Sequence, residues 1–124
     1  MSGKKAAPSR LADVLERGVG PVLQATPLAR AIVEAMNEEN DEVFVEDAGA
    51  YLRVFSPGVC RVSREGVEAS LGRPIRFPGD LEVIMSSFAG KVAMNEDGAV
   101  WWLAHEPKPE IPLHAIDPAS IPGG

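Results

Sequence analysis

Apolar and polar positions alternate along this chain in a way that marks out its elements. Val19-Gly20-Pro21-Val22-Leu23 is a short apolar segment and a candidate strand. Pro21 has no N–H for a ladder, so this strand is expected at a sheet edge or with Pro21 facing outward. Thr26 then offers a helix N-cap and Pro27 suits the first helical position. Leu28, Ala29, Ile32, Val33, Ala35 and Met36 form one apolar stripe at helical spacing. Asn40 is the expected stop, since asparagine tolerates the left-handed conformation at a helix end.

Three short β patterns follow at Val43–Asp47, Tyr51–Phe55 and Val59–Ser63, separated by Ala48-Gly49 and by Ser56-Pro57-Gly58-Val59. The Pro-Gly order predicts a type II turn, and the spacing predicts an antiparallel meander. Ser63 caps a predicted second helix over Arg64–Leu71. Gly66 inside it is expected to cost up to about 1 kcal/mol relative to alanine. Gly72-Arg73-Pro74 ends that helix, and from Pro78-Gly79-Asp80 up to Met85 a helical turn and a strand are both possible. Ala89–Met94 reads as strand, Asn95-Glu96-Asp97-Gly98 as a hairpin turn and Ala99–Ala104 as the returning strand. Helices packed on an antiparallel sheet make an α+β domain.

The ends differ from this middle. Residues 1–18 are predicted to be a flexible arm with a short helix over Leu11–Glu16. Residues 106–124 carry Pro107, Pro109, Pro112, Pro118 and Pro122, a spacing that favours an extended, disordered tail. The core domain is therefore expected over residues 19–105.

Composition narrows the function. A chain of 124 residues that is 45% hydrophobic is enough for one self-sufficient core. A net charge of −6 argues against nucleic acid or an anionic membrane as the main partner. Cys60 is the only cysteine, which excludes an intrachain disulfide. The first ten residues carry no apolar signal core, and no run approaches a membrane span, so the expected location is cytoplasmic.

Chemistry is scarce. His105 and His114 are the only histidines, and no His-x-x-x-His or Cys-x-x-Cys pair exists, so no metal site is expected. Gly18-Val-Gly20 lacks the third glycine and the helix of a dinucleotide loop. Ser86 and Ser87 lie in no nucleophile elbow. Cys60 falls in an alternating strand and reads as a small core hydrophobe. Glu34, Glu38, Glu39, Asp41, Glu42, Glu46 and Asp47 form an acidic run without the spacing of an EF-hand. It reads as a solvated helix end and turn, or as a surface steering a basic partner. Arg53, Arg61, Arg64, Arg73 and Arg76 are expected to pair with Glu65 and Glu68 or to gather on one side. Trp101 and Trp102 must point to opposite faces of a strand, which predicts one indole in the core and the other at or near the surface, either as a contact residue or half covered by a tail.

The most informative stretch is Leu81-Glu82-Val83-Ile84-Met85-Ser86-Ser87-Phe88-Ala89-Gly90. An apolar run breaks there into two hydroxyls, an aromatic ring, a small residue and a glycine. Nothing in it attacks a substrate or holds a metal; if it acts, it acts by contact.

Four strings in order, Val19–Ala25, Val45–Val54, Leu71–Pro74 and Leu81–Val92, closely resemble the small effector (coupling or regulatory) proteins of soluble bacterial diiron monooxygenases. These include the toluene, phenol, alkene and methane systems, and the resemblance is nearest the toluene, alkene and phenol branch. It covers roughly residues 19–104 of this chain; the Pro-rich tail extends beyond the compact end usual in that branch. A monomer is expected for the free protein. The resemblance implies a non-enzymatic, cofactor-free protein that docks on a diiron hydroxylase, over the helices near its iron centre. There it would alter substrate access, iron-site geometry and electron delivery by a ferredoxin or reductase. Together with the break in the apolar run, the resemblance marks Ser86, Ser87, Phe88, Ala89 and Gly90 as the expected hydroxylase-binding patch. Gly20 and Pro21 are expected to contribute from an adjacent edge. Phe88 is expected either to anchor in the core or to touch the partner. The competing expectation is a stand-alone small-molecule-binding regulatory α+β domain.

Overall fold

The computed structural model describes residues 17–111. The expected helix at Leu11–Glu16 and the tail beyond Ile111 lie outside the described residues. The elements run β1 (Gly18–Gln24), α1 (Pro27–Glu39), β2 (Phe44–Asp47), β3 (Tyr51–Pro57), β4 (Val59–Ser63), α2 (Arg64–Leu71), α3 (Gly79–Ile84), β5 (Met85–Ala89), β6 (Lys91–Asn95) and β7 (Gly98–Trp102). The fold is α+β, with two antiparallel sheets rather than one: β2-β3-β1-β5 and β4-β7-β6.

The helix signals act as the residues dictate. Thr26 Oγ1 accepts the Ala29 N–H at 3.1 Å, and Ala29, Ala31, Ile32, Ala35 and Met36 are buried along one face of α1. Ser63 Oγ accepts the Gly66 N–H at 3.0 Å, and Gly72 ends α2 at φ +85°. Asn40 does stop α1, but in extended conformation rather than left-handed. Its side chain Nδ2 donates to the Met36 carbonyl instead.

Three topological expectations are corrected. β2 and β3 pair as predicted, from Phe44↔Phe55 to Asp47↔Leu52, but β4 does not continue a meander. The chain turns at Gly58 (φ +81°), whose N–H donates to the Arg17 carbonyl, and β4 pairs with β7 in the second sheet. The stretch predicted as one strand over Ala89–Met94 is divided. Gly90, at φ +91°, is a second corner between the sheets, and a Cβ there would stand 2.5 Å from the Trp102 carbonyl oxygen. β1 is not an edge strand: it lies between β3 and β5, with Pro21 buried.

The inner position of Pro21 is tolerated because the ladder lapses around it. β1 pairs with β3 at Gly18, Val19 and from Val22 to Gln24, and neither Gly20 nor Pro21 is in that register. The Val54 carbonyl that would have met a Pro21 N–H presses on the Gly20 backbone. A Cβ on Gly20 would collide with it, and φ there is +148°.

The two sheets meet where β1 crosses β4 and β7, while α1 packs on β4 and α2. Val19, Leu23, Leu52, Val54, Val62 and Trp101 fill the space between them. Both tryptophans are buried, Trp101 at 0% and Trp102 at 8% exposure. β7 is the middle strand of its sheet, with Trp102 between Val59 and Lys91, and at 8% exposure Trp102 is covered rather than standing free as a contact residue. The Asn95–Gly98 hairpin forms as read, with Asn95 Oδ1 accepting the N–H groups of Asp97 and Gly98 at 2.8 and 3.2 Å.

Candidate partner-binding site

The ambiguous run before Ser86 resolves into a short helix running directly into a strand. α3 buries Leu81 and Ile84, three apart on one face. Val83, between them, is left 77% exposed. Sequence reading passed over Val83 as part of an apolar run. The signal was the i, i+3 spacing of its buried neighbours.

β5 lies at the edge of the four-stranded sheet and pairs antiparallel with β1 through Gly20↔Ala89, Pro21↔Phe88 and Val22↔Ser87. The next pair is Leu23↔Met85, so Ser86 is the extra residue of a β-bulge. Its Oγ lies 3.4 Å from the Val22 carbonyl. Ser86, Ser87 and Phe88 are exposed. Ser87 stands opposite Val22 and Phe88 opposite Pro21, so the two point to different faces of the sheet. Phe88 shares the face of the buried Pro21, yet its edge position leaves it 43% exposed.

The structure therefore gathers Ser86, Ser87, Phe88, Ala89 and Gly90 on one strand and its corner, and sets Gly20 and Pro21 behind them. Gly20 and Pro21 are buried. They back β5 and present no side chain to solvent. Gly90 is held between Trp102 and Val19, whose Cγ1 would be 2.8 Å from an added Cβ. Exposed Tyr51 and Val45 lie on β3 and β2 of the same sheet.

Elsewhere the side chains are committed to structure. Cys60 is fully buried, with Sγ 3.8 Å from Met36 Sδ, and burial pushes its thiol up to about 11. So protonated a thiol is a poor nucleophile. Glu39 accepts the Ser63 N–H and hydroxyl, each at 2.7 Å; burial raises its carboxyl above the usual range despite those bonds. Arg53 pairs with Glu46 across β2–β3 at 3.5 Å, and Arg64 with Glu68 at 3.2 Å. Glu68, held below the usual carboxylate range chiefly by the Ile75 N–H, is thus the expected arginine partner once only. His105 is exposed beside Glu106, and His114 lies outside the described residues. Among the described residues no group of three or more His, Cys, Asp or Glu side chains is placed to hold a metal ion, and no helix is long and apolar enough to cross a membrane. A polar cavity of about 210 Å³ beside Asn40, Asp41, Ser56 and Arg61 falls below the roughly 300–1,000 Å³ usual for a ligand pocket.

Comparison with known proteins gives a consistent result. The MmoB/DmpM family model matches residues 17–102, from the residue before β1 to the end of β7. The chain is 35% identical over 92 residues to the alkene monooxygenase system effector subunit of Xanthobacter autotrophicus, covering 73% of this chain and 90% of that protein. Two solved chains from structures of the phenol hydroxylase–regulatory protein complex share the fold. Their TM-scores are 0.60 and 0.58, each at 24% identity, covering 68% and 69% of this chain and 95% and 100% of theirs.

Proposed function

The chain belongs to the MmoB/DmpM family, and from that membership we propose that it is the effector subunit of a multicomponent diiron monooxygenase. It carries no chemistry of its own in this reading. It binds the hydroxylase and, by favouring one hydroxylase conformation over another, tunes substrate access, iron-site geometry and the delivery of electrons by a ferredoxin or reductase. Equal affinity for both conformations would shift nothing. A coupling of about 1–3 kcal/mol would change their ratio roughly 5–150-fold.

The observation that carries this reading is the 35% identity to an effector subunit over 90% of that protein's length. The exposed, uncharged β5 supports a role by contact, and we assign the docking patch to Ser86, Ser87 and Phe88, backed by Ala89, Gly90, Gly20 and Pro21. A cytoplasmic location follows from the same reading.

Reconstitution tests it. Purified protein is titrated into a purified diiron hydroxylase of a multicomponent monooxygenase, with reductase and ferredoxin, and oxygenated product is measured against electrons consumed. Product formation is expected to rise and to peak near one effector per active site. A flat titration with a competent hydroxylase rejects the proposal.

A further inference from the structure

The four-stranded sheet turns one face to the core. Leu52 and Val54 of β3 are buried on that face, while Tyr51, Arg53 and Phe55 alternate with them and turn to the other. Residues in register share a face. Glu46 of β2, Arg53 of β3, Val22 of β1 and Ser87 of β5 therefore form one row across the outer side of all four strands. Phe44 stands beside Phe55, and Gln24 beside Tyr51, in the flanking rows. The described helices make their main contacts elsewhere: α1 with α2 and β4, α2 with β4, and α3 with β5, the strand it runs into.

Arg53 is the single lysine or arginine on β1, β2, β3 and β5. Its pairing is incomplete. Nε lies 3.5 Å from Glu46 Oε1, with the two side chains 51% and 65% exposed, and the guanidinium carbon stands 5.8 Å from the centre of the Phe55 ring. The ring steadies the planar head without using its donors. Both Nη groups, the forked end that matches a carboxylate, make no hydrogen bond or ion pair among the described residues. So exposed a pair adds little to stability. Tyr51, 46% exposed, shares the face, and tyrosine and arginine are the residues that most often anchor interfaces.

We infer that the outer face of this sheet binds the hydroxylase through Arg53. Its open Nη end receives a carboxylate of the partner, while Val22, Tyr51 and Phe55 take the apolar neighbours of that carboxylate. The inference rests on the effector reading and adds a charged anchor to it. The Arg53 row ends on Ser87, so this face is continuous with the patch assigned on β5. It offers side chains rather than open backbone, so what it recognises is a side-chain pattern. One face of a helix presents that pattern, a carboxylate with apolar residues three or four positions away. A second copy of this chain is disfavoured, because two chains of net charge −6 repel.

Two variants of the full chain test it, with affinity for a purified diiron hydroxylase and the urea unfolding midpoint both measured. Arg53→Gln removes the anchor and is expected to bind about ten- to a hundredfold more weakly, the range of one charge-assisted hydrogen bond. Glu46→Gln removes the competing carboxylate and is expected to bind at least as tightly as wild type. Both are expected to keep the wild-type midpoint. A merely structural Arg53–Glu46 pair predicts otherwise, since either variant would then lower midpoint and affinity together. Wild-type affinity in Arg53→Gln, or weakened binding in Glu46→Gln, overturns the anchor; stimulation by the wild-type chain leaves the effector reading intact. Self-association of the free protein that Arg53→Gln abolishes assigns the face to a second copy and overturns it too. A hydroxylase that the wild-type chain neither binds nor stimulates removes the effector reading, and this inference with it.

Discussion

The side-chain amide of Asn40 pairs with the backbone of Arg61 in both directions, Nδ2 donating to its carbonyl at 2.8 Å and Oδ1 accepting its N–H at 3.0 Å. An asparagine thus stands where a neighbouring strand would lie against β4. Asn40→Ala leaves both backbone groups without their partner, and a loss of about 1–3 kcal/mol is expected. Urea unfolding followed by tryptophan fluorescence measures it. Light scattering at high concentration is expected to show increased association through the opened edge.

Gly66→Ala is expected to destabilise the protein, although alanine is the better helix former. An added Cβ collides with the Glu39 carboxylate and stands 3.0 Å from Ser63 Oγ and 3.3 Å from Ala35 Cβ. The carboxylate ends a flexible side chain, but moving it gives up its two bonds from Ser63, a loss of about 1–3 kcal/mol that outweighs the gain of up to about 1 kcal/mol in helix propensity. In a double-mutant cycle, much of that loss is expected to vanish in a Glu39→Ala background, because the colliding carboxylate is gone. Additive losses would contradict the contact.

Glu39 also sets a pH dependence. Its carboxyl is raised above 4.5 first by burial, against the bonds from Ser63, with Glu38 and Glu65 adding to the rise. An acid with a raised folded value holds its proton more tightly folded than unfolded. Its contribution to stability is full below 4.5 and is lost as pH rises through the folded value. Glu39→Gln is therefore expected to flatten the fall in unfolding free energy just above that pH, measured by urea titration at a series of pH values.

Cys60 is expected to resist alkylation in the folded protein at neutral pH and to react at the rate of unfolding. Its thiol is buried and pushed up to about 11. Iodoacetamide labelling in increasing urea checks this. Cys60→Val is expected to leave hydroxylase stimulation unchanged.

Ser87→Gln places a long side chain on the exposed face of β5 opposite Val22 without touching the core. Apparent affinity for the hydroxylase is expected to fall about tenfold, equivalent to about 1.4 kcal/mol. The unfolding midpoint is expected to stay within the small range usual for surface substitutions. Unchanged stimulation by the folded variant removes Ser87 from the docking patch.

Local chemistry decided much of this fold in advance. Thr26-Pro27 and Ser63 start their helices because the needed oxygen and the missing N–H sit at the right positions. Asn95–Gly98 turns because an Asn oxygen reaches two N–H groups within three residues. The uncharged break at Ser86–Gly90 was likewise visible, and the fold sets it on an edge strand with Ser86, Ser87 and Phe88 exposed. Which strands pair was not visible, because pairing depends on partners far along the chain. Gly58 and Gly90 read as a turn and as a strand interior, and both proved to be corners between sheets, set by contact with Arg17 and Trp102. Gly66 looked like a weakness until α1 brought Glu39 against it. Pro21 looked like an edge marker until the β1–β3 ladder lapsed around it. Short-range hydrogen bonding is written in neighbouring residues; strand order, Trp102 burial and the exposure of Phe88 arise only when distant segments close-pack.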